Sequence, residues 1–392
     1  MKKPIILGLF MMFIIFSHVF TLHAEETNEQ QESLNLAPDV KSAILMERDT
    51  GEIIYSKNEH DRLPPASMTK LMTLLLVMEA IEHGDLSLDE IVRVSERAAS
   101  MGGSQVFLEA GEEMSVEDLL KSVAVASGND ASVALAERIA GSEEAFVEKM
   151  NQKAQDLGLE NTHFVNSSGL PANELYSTAY DMAIIARELL KYETITNYTS
   201  IYDDYLRKGQ KNEFWLVNTN KLVKFYPGVD GLKTGYTTEA KYCLTATAKK
   251  DDMRVIAVVM GAESVKKRNA TVSGMLDYAF NHYDTNKLYD KHEKLTSLSL
   301  VKAENEKVDI VTSEPISTLQ KKGESIENIS TEIQLQEEYE LPILKGHSVG
   351  MLIVKENNEV VLESPLIVNE DVHKASYLTL LKRTIKNLAK NN

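Results

Sequence analysis

The stretch RLPPASMTKLMTLLLVMEAI, residues 62–81, places two prolines and an alanine before Ser67 and then follows a helical pattern. Ser67 and Lys70 are three residues apart, so we expect the hydroxyl and the amine side by side in the first helical turn. A helix start also presents unpaired N–H groups and the positive end of its dipole. These features favour a nucleophilic role for Ser67. The S-x-x-K pattern recurs at 264–267 and 299–302, however, so a capping serine followed by a solvated lysine remains the alternative.

The segments on either side of this stretch alternate between strand and helix patterns. Residues 41–57 hold two apolar runs around Asp-Thr-Gly at 49–51, which indicates a β-hairpin. Residues 116–192 carry successive helical patterns, and residues 242–261 alternate on both sides of a turn at 249–252. Strands therefore come from both ends of the segment. This predicts one α/β (α+β) domain, 37–284, with a mostly antiparallel sheet and an inserted helical subdomain.

Two different patterns follow this domain. From about residue 285 the chain shows short alternating runs and turn signals such as Asn-Asn at 357–358, which predicts a small β-rich domain at 285–372. Residues 373–392 combine leucines and isoleucine at helical spacing with basic residues and no acidic residue. We expect this amphipathic helix to lie in the interface of an anionic membrane; packing on its own domain is the alternative.

The N-terminus has the pattern of a secretory signal. Two lysines precede an apolar run, and Ala24 precedes an acidic stretch, so we expect a signal peptide at 1–24 and a flexible lead-in at 25–36. Leu22 is larger than the small residue that usually stands at this position of a cleavage site, and an uncleaved anchor remains the alternative. We expect an exported protein at the outer face of the cytoplasmic membrane or in the cell wall.

Composition excludes several classes of function. Cys243 is the only cysteine, so an exported chain of this size must be stable without an internal disulfide. The nine histidines form no H-E-x-x-H motif or Cys/His cluster, and we expect neither a metal nor a cofactor. With 42 basic and 59 acidic side chains the formal charge is −17, which disfavours nucleic acid as a partner.

Two further triplets favour the catalytic interpretation of Ser67. The sequence AVASGNDAS contains Ser127-Gly128-Asn129 immediately before a helical pattern, and GLKTGYTT contains the single K-T-G, at 233–235, entering a strand. Each triplet is weak alone. The ordered set of S-x-x-K at a helix start, S-x-N between helices and K-T-G on an edge strand is specific.

With these motifs the sequence resembles the active-site-serine penicillin-binding proteins, and within them the low-molecular-mass D-alanyl-D-alanine carboxypeptidases of the type found in endospore-forming bacteria. The resemblance covers the chain from the signal to the basic tail. It implies a transpeptidase/β-lactamase-like domain with a helical subdomain, a β-rich domain and an amphipathic membrane anchor. It also implies a role in sporulation, with peptidoglycan pentapeptides as substrates and β-lactam antibiotics as covalent inhibitors.

The resemblance also assigns the catalytic roles. Ser67 would attack the carbonyl between two D-alanines and form an acyl-enzyme that water hydrolyses. Lys70 would accept the proton, and for this its pKa must fall, as burial beside a second cation, Lys233, would cause. Ser127 would relay the proton to the leaving amine, and Asn129 would hold the substrate amide.

The remaining implied roles concern substrate binding. Lys233 and Thr234 would bind the terminal carboxylate, and Gly235 would let the substrate lie along the edge strand. The oxyanion hole would consist of the main-chain N–H groups of the nucleophile and of Tyr236. Arg268 matches a carboxylate-binding arginine by spacing alone, and an exposed surface arginine is the alternative.

Other features have simpler interpretations. Cys243 lies in an apolar run and is expected in the core. Residues 100–112 fit a loop beside the cleft or a plain turn. His163 is expected to be structural, since the chain lacks the G-x-S-x-G motif of an esterase.

The rival functions are a β-lactamase and a non-catalytic wall-binding or β-lactam-sensing module. Against the first, the chain has no E-x-x-L-N string and carries S-G-N in place of S-D-N. Against the second, a binding module would not need Lys70, Ser127 and Lys233 together.

Overall fold

The computed structural model describes residues 34–324 and 328–390, with side chains described as far as residue 385. The predicted signal peptide and most of the predicted lead-in lie outside these residues. Within them, the chain from Leu36 onward belongs to one compact unit. Up to residue 282 its elements are β1 (Ser42–Glu47), β2 (Ile53–Lys57), α1 (Lys70–Glu82), β3 (Ile91–Arg93), α2 (Glu96–Ala99), β4 (Glu113–Ser115), α3 (Val116–Ala126), α4 (Asn129–Ala140), α5 (Glu143–Asp156), α6 (Ala179–Leu189), α7 (Ile195–Thr199), β5 (Asp203–Leu206), β6 (Phe214–Val217), α8 (Leu222–Phe225), β7 (Val229–Thr237), β8 (Lys241–Lys250), β9 (Met253–Ala262) and α9 (Val265–His282).

The central sheet is antiparallel and has the strand order β2-β1-β9-β8-β7. Both predicted hairpins are present, as β1–β2 and β8–β9, and β1 pairs directly with β9. The sheet is therefore completed from both ends of the segment, with α1 to α8 inserted between, as the sequence predicted. Strand β7, which carries K-T-G, is an edge strand.

Each face of the sheet supports a separate core. Side chains alternate between the two faces of a strand, and β9 shows this directly. Its residues Ile256, Val258 and Met260 pack with the inserted helices. The alternate residues Val255, Ala257 and Val259 pack against α9 on the other face.

Helix α9 is absent from the secondary structure predicted above. Its signal is present in the sequence: Val272, Met275, Leu276 and Ala279 follow helical spacing and are buried against the sheet. Ser264 caps the helix, its hydroxyl accepting a hydrogen bond from the N–H of Lys267. This helix covers the face of the sheet that the inserted helices leave open.

The second part of the chain is β-rich, as predicted. Its elements are β10 (Tyr283–Tyr289), β11 (Lys294–Ser299), β12 (Lys307–Thr312), β13 (Ile316–Lys321), β14 (Ile329–Leu335), β15 (Ser348–Glu356), β16 (Glu359–Val368) and α10 (Tyr377–Lys390). Five strands form a sheet in the order β11-β12-β16-β15-β14, while β10 pairs with β13. The predicted domain boundary at 284/285 falls inside β10.

Helix α10 is joined to the β-rich part by polar contacts. The Arg383 guanidinium donates to the main-chain carbonyls of Val301, Ala303 and Glu304 at 3.0, 2.6 and 2.6 Å. Among the helices of the described residues, none has the length and apolar character needed to cross a bilayer.

Candidate active site

Ser67 lies in a 3-10 turn, Ala66–Thr69, that leads into α1. We expected it in the first turn of the α-helix, but α1 begins only at Lys70. The 3-10 turn is closed by a hydrogen bond that the N–H of Met68 donates to the carbonyl of Pro65 (3.1 Å). Side chains at i and i+3 are eclipsed in such a turn. The expected neighbours are therefore kept, and Lys70 Nζ lies 3.2 Å from Ser67 Oγ.

The turn is held in a strained conformation by a neighbouring segment. Ala66 has a φ of +49°, in the left-handed region, which costs a non-glycine residue on the order of 1 kcal/mol. Gly169 packs directly against it, and a Cβ there would lie 1.9 Å from the Ala66 carbonyl oxygen. Only glycine permits this approach, so the loop that contains Gly169 fixes the entry to the nucleophile.

The amine of Lys70 is buried and contacts three oxygen atoms. Besides Ser67 Oγ, its Nζ lies 2.6 Å from Asn129 Oδ1 and 2.5 Å from the main-chain oxygen of Ser168. The side chain has no exposed surface. Three segments distant in sequence therefore meet at one nitrogen atom.

The surroundings of Lys70 disfavour its charged form. Burial holds the pKa of the Lys70 amine well below its usual value, and the nearby Lys233 cation lowers it further. The carboxylate of Asp130 raises the pKa of Lys70, but its effect is smaller than that of burial and of Lys233. Lys70 is therefore better suited to accept a proton than an exposed lysine.

Ser127 and Asn129 lie where α3 meets α4. Ser127 ends α3 with a φ of +62°, and Asn129 begins α4. While Asn129 Oδ1 faces Lys70, its Nδ2 donates to the carbonyl of Gly102 (2.6 Å), which fixes the orientation of the amide. Ser127 Oγ is buried and has no hydrogen-bond partner among the described residues. Its hydroxyl is thus free to form a hydrogen bond with a ligand or to take part in proton transfer.

The K-T-G triplet lies on β7 against the 3-10 turn. A Cβ at Gly235 would be 2.7 Å from the Pro65 carbonyl oxygen and 3.3 Å from the N–H nitrogen of Met68. The absence of a side chain at this position therefore brings the edge strand against the nucleophile turn. Thr234 Oγ1 donates to Thr219 Oγ1 (2.8 Å). Tyr236, the next residue, is 55% exposed and packs its ring against Tyr242.

Lys233, on β7, and Arg268, on α9, form a pair of neighbouring basic residues. Lys233 is fully buried, and burial together with the Arg268 charge lowers the pKa of its amine to about 7. Arg268, on α9, is also buried, and this lowers the pKa of its guanidinium to about 10. The exposed surface arginine considered above is therefore wrong. Among the residues that the structure describes, neither cation is paired with a carboxylate, and two such buried cations favour binding of an anion.

The other two S-x-x-K matches have ordinary structural roles. Ser264 is the N-cap of α9, and Ser299 is the last residue of β11. Neither lies in the arrangement that surrounds Lys70.

Three residues of the site were not identified from the sequence. Ser168 contributes only a carbonyl oxygen, which no residue-type signal reveals. Thr219 reaches Thr234 from the loop after β6. Asp130 is buried and accepts hydrogen bonds from the N–H groups of Val106 and Leu108; its position directly after S-x-N was the available signal.

The structure also tests the simpler interpretations of Cys243, residues 100–112 and His163. Cys243 is buried, and burial raises the pKa of its thiol to about 11, which agrees with a core role. The carbonyls of Gly102 and Ser104 accept hydrogen bonds from Asn129, so residues 100–112 are a loop beside the cleft. His163 Nδ1 lies 2.8 Å from the main-chain oxygen of Glu174, a structural contact.

Comparison with known proteins agrees with this geometry. Residues 26–264 match the Peptidase S11 family, described as D-alanyl-D-alanine carboxypeptidase, and residues 283–374 match the C-terminal domain of penicillin-binding protein 5. The chain is 56% identical over 350 residues to D-alanyl-D-alanine carboxypeptidase DacF of Bacillus subtilis, covering 89% of this chain and 90% of DacF.

Solved structures of penicillin-binding proteins are also similar to this chain. Penicillin-binding protein 5 of Haemophilus influenzae superposes with a TM-score of 0.66 at 31% identity, covering 86% of this chain and 98% of that one. The ampicillin-bound penicillin-binding protein D2 of Listeria monocytogenes gives a TM-score of 0.56 at 31% identity, covering 62% of this chain and 98% of that one. The match over most of the chain, together with the lysine, serine and K-T-G geometry, shows that this chain belongs to the Peptidase S11 family of D-alanyl-D-alanine carboxypeptidases.

Proposed function

We propose that the enzyme removes the terminal D-alanine from peptidoglycan pentapeptide stems through an acyl-enzyme on Ser67. The environment of Lys70 carries this proposal. A neutral amine has two N–H donors and one lone pair. The two carbonyl oxygens beside Nζ, from Asn129 and Ser168, take the donors at 2.6 and 2.5 Å. The lone pair then faces Ser67 Oγ at 3.2 Å and accepts its proton.

The reaction then proceeds in two halves. As Lys70 accepts the hydroxyl proton, Ser67 Oγ bonds to the carbonyl carbon between the two D-alanines. The N–H groups of Ser67 and Tyr236 stabilise the oxyanion. When the C–N bond breaks, the proton passes through Ser127 to the leaving amine and D-alanine departs. Water hydrolyses the ester in the second half and regenerates the serine.

The substrate binds as a strand added to the exposed edge of β7. Its terminal carboxylate meets the cation of Lys233 and the hydroxyl of Thr234, with Arg268 adding positive potential from α9. Asn129 donates from its Nδ2 to the substrate amide. Gly235 leaves room for the substrate backbone beside the nucleophile.

β-Lactam antibiotics are expected to acylate the same serine, because their strained amide and carboxylate resemble the terminal dipeptide. The ampicillin complex of the Listeria relative supports this expectation. The absence of an E-x-x-L-N string leaves no assigned base for rapid deacylation, so we expect a long-lived adduct.

We place the enzyme outside the cytoplasm, with the domains 37–284 and 285–372 at the outer face of the membrane and residues 373–392 in contact with anionic lipid. The signal-like N-terminus and the exposed apolar residues of α10, which include Tyr377, Leu378 and Leu381, support this location.

The test combines a diacyl-lysyl-D-Ala-D-Ala substrate with penicillin labelling, both followed by mass spectrometry. Ser67→Ala should release no D-alanine and form no penicillin adduct. Lys70→Arg keeps the charge but cannot deprotonate, so acylation should fall by at least about 10²-fold. Ser200→Ala, an exposed serine at the end of α7, is the matched control.

A penicillin adduct on Ser67→Ala, or near-normal acylation of Lys70→Arg, would contradict the assigned roles. Hydrolysis of penicillin as fast as it acylates would instead favour a β-lactamase.

A further inference from the structure

A cavity of about 370 Å³ lies directly beside the nucleophile turn. Its wall includes Ala66, the residue before Ser67, and Thr237, the last residue of β7. The opposite wall is the loop from Gly169 to Tyr176. None of the catalytic roles assigned above uses this cavity.

Both walls continue from the catalytic centre. The loop begins at Ser168, whose carbonyl oxygen is 2.5 Å from Lys70 Nζ, and Gly169 is packed against Ala66. The strand wall continues β7 beyond Gly235. The cavity is thus held rigidly relative to Ser67, and a group bound in it has a defined position along the substrate.

In the proposed binding mode, the residue that precedes D-Ala-D-Ala lies next to this cavity. The terminal carboxylate lies at Lys233 and Thr234 and the scissile carbonyl at Ser67, so the substrate runs antiparallel to β7. Its upstream residues then follow the strand toward Thr237, at about 3.4 Å per residue. The residue that precedes the two D-alanines is therefore the one whose side chain reaches the cavity.

The cavity is lined by two negatively charged side chains. Glu174 and Glu239, one on each wall, both line it and are exposed. Within the described residues neither carboxylate is paired with a lysine or arginine side chain. Arg62, which lies over the Tyr176 ring at 4.7 Å, is bonded instead to the Asn161 side chain and the Glu160 carbonyl. Two unpaired carboxylates favour a cationic group.

We infer that this cavity is a specificity subsite that binds the free side-chain ammonium group of the diamino acid preceding D-Ala-D-Ala, through Glu174 and Glu239. The inference rests on the proposed function. It makes the enzyme select stems whose side-chain amine is free over stems whose amine is acylated, because acylation removes the positive charge and adds bulk.

The test compares two peptides that differ only at this amine: Nα-acetyl-L-lysyl-D-Ala-D-Ala and its Nε-acetylated form. At neutral pH the wild-type enzyme should favour the free amine in kcat/KM by about three- to tenfold, the range expected of two exposed carboxylates. High ionic strength should reduce this preference, since exposed charges are screened.

The double variant Glu174→Gln/Glu239→Gln should lose the preference, with both peptides at a ratio of about one. The loss should come from a lower kcat/KM for the free-amine peptide, because only this peptide carries the positive charge that the two carboxylates bind. The matched control is Glu337→Gln/Glu338→Gln, which removes two exposed charges from the loop after β14 and should keep the wild-type preference.

Two results would overturn the inference while leaving the carboxypeptidase assignment intact: equal kcat/KM for both peptides in the wild type, or an unchanged preference in the double variant. Failure of the wild type to release D-alanine from either peptide would refute the proposed function itself, and the subsite with it.

Discussion

Two buried lysines with opposite requirements define the site at the scale of residues. Lys70 has to be neutral to accept a proton, and Lys233 has to be charged to bind a carboxylate. Burial lowers the pKa of both amines. Lys233 additionally lowers the pKa of Lys70, so the cation that binds substrate also helps to keep the base neutral.

This arrangement predicts the pH dependence of kcat/KM, which reports on the free enzyme. Activity should rise with pH as Lys70 loses its proton, on an acid limb well below the usual lysine range. It should fall as pH rises through about 7, where Lys233 loses the charge that binds the carboxylate. In Lys233→Arg the cation persists to high pH, so the alkaline limb should move upward by about two pH units or more.

The measurement is kcat/KM for diacetyl-lysyl-D-Ala-D-Ala between about pH 5 and pH 10. Lys224→Arg, a substitution in the short helix α8, serves as the matched control and should leave both limbs in place. An alkaline limb that stays near the same pH in Lys233→Arg would assign that titration to another group.

At the scale of elements, the contact between β7 and the 3-10 turn sets the distance between the substrate strand and the nucleophile. It depends on Gly235, where a Cβ would lie 2.7 Å from the Pro65 carbonyl oxygen and 3.2 Å from the Ala66 Cβ. Both neighbours belong to the rigid entry of the nucleophile turn. A side chain on Gly235 must therefore move the strand away from Ser67.

Gly235→Ala should consequently slow penicillin acylation by about 10²-fold, since displacement of a reacting group by about 1 Å has this effect. The overpacked contact should also lower the free energy of unfolding by about 1–3 kcal/mol. Stopped-flow acylation and denaturant unfolding measure the two effects.

Gly274→Ala is the matched control, because a Cβ added to this helical glycine of α9 would meet no atom within 4 Å. It should raise the free energy of unfolding by about 0.5–1 kcal/mol and leave acylation unchanged. Wild-type acylation by Gly235→Ala would show that the strand and the turn do not need their close contact.

At the scale of the whole molecule, α10 presents an apolar surface while it remains joined to the β-rich part. Tyr377, Leu378, Leu381 and Ile385 are exposed. Arg383 and the N–H of Ala375 bond to carbonyls of residues 301–304. The helix is thus attached through these contacts and leaves the four apolar residues named above uncovered.

Truncation before His373 should release the protein, without its signal, from anionic vesicles and should not change D-alanine release from a soluble peptide. Leu381→Asp should weaken binding in the same direction, because it places a negative charge in the apolar surface. High salt should weaken binding only in part, since apolar burial is not screened.

Vesicle co-sedimentation of the three proteins is the measurement, and Glu337→Gln, distant from the helix in sequence, is the control. Equal sedimentation of full-length, truncated and Leu381→Asp proteins would mean that α10 is a packing element.

Local pattern was sufficient for much of the fold. Both hairpins, helix α1, the successive helices within residues 116–192 and the β-rich second part follow from periodicity, which reflects hydrogen bonds and side-chain contacts between residues close in sequence. The helical pattern predicted to follow Ser127-Gly128-Asn129 is an example, since α4 begins at Asn129. Helix α9 carries the same kind of signal, since its buried residues follow helical spacing, so local pattern is sufficient for this element too.

The sequence by itself also determined the chemistry, because S-x-x-K, S-x-N and K-T-G are residue types in a recognisable order. The tertiary structure alone decided how these groups act. The carbonyl of Ser168, the burial of Lys70 and Lys233, and the packing of Gly169 and Gly235 against the nucleophile turn all join segments far apart in the chain. Desolvation and the approach of distant main-chain atoms depend on how the whole chain packs, and no local pattern encodes them.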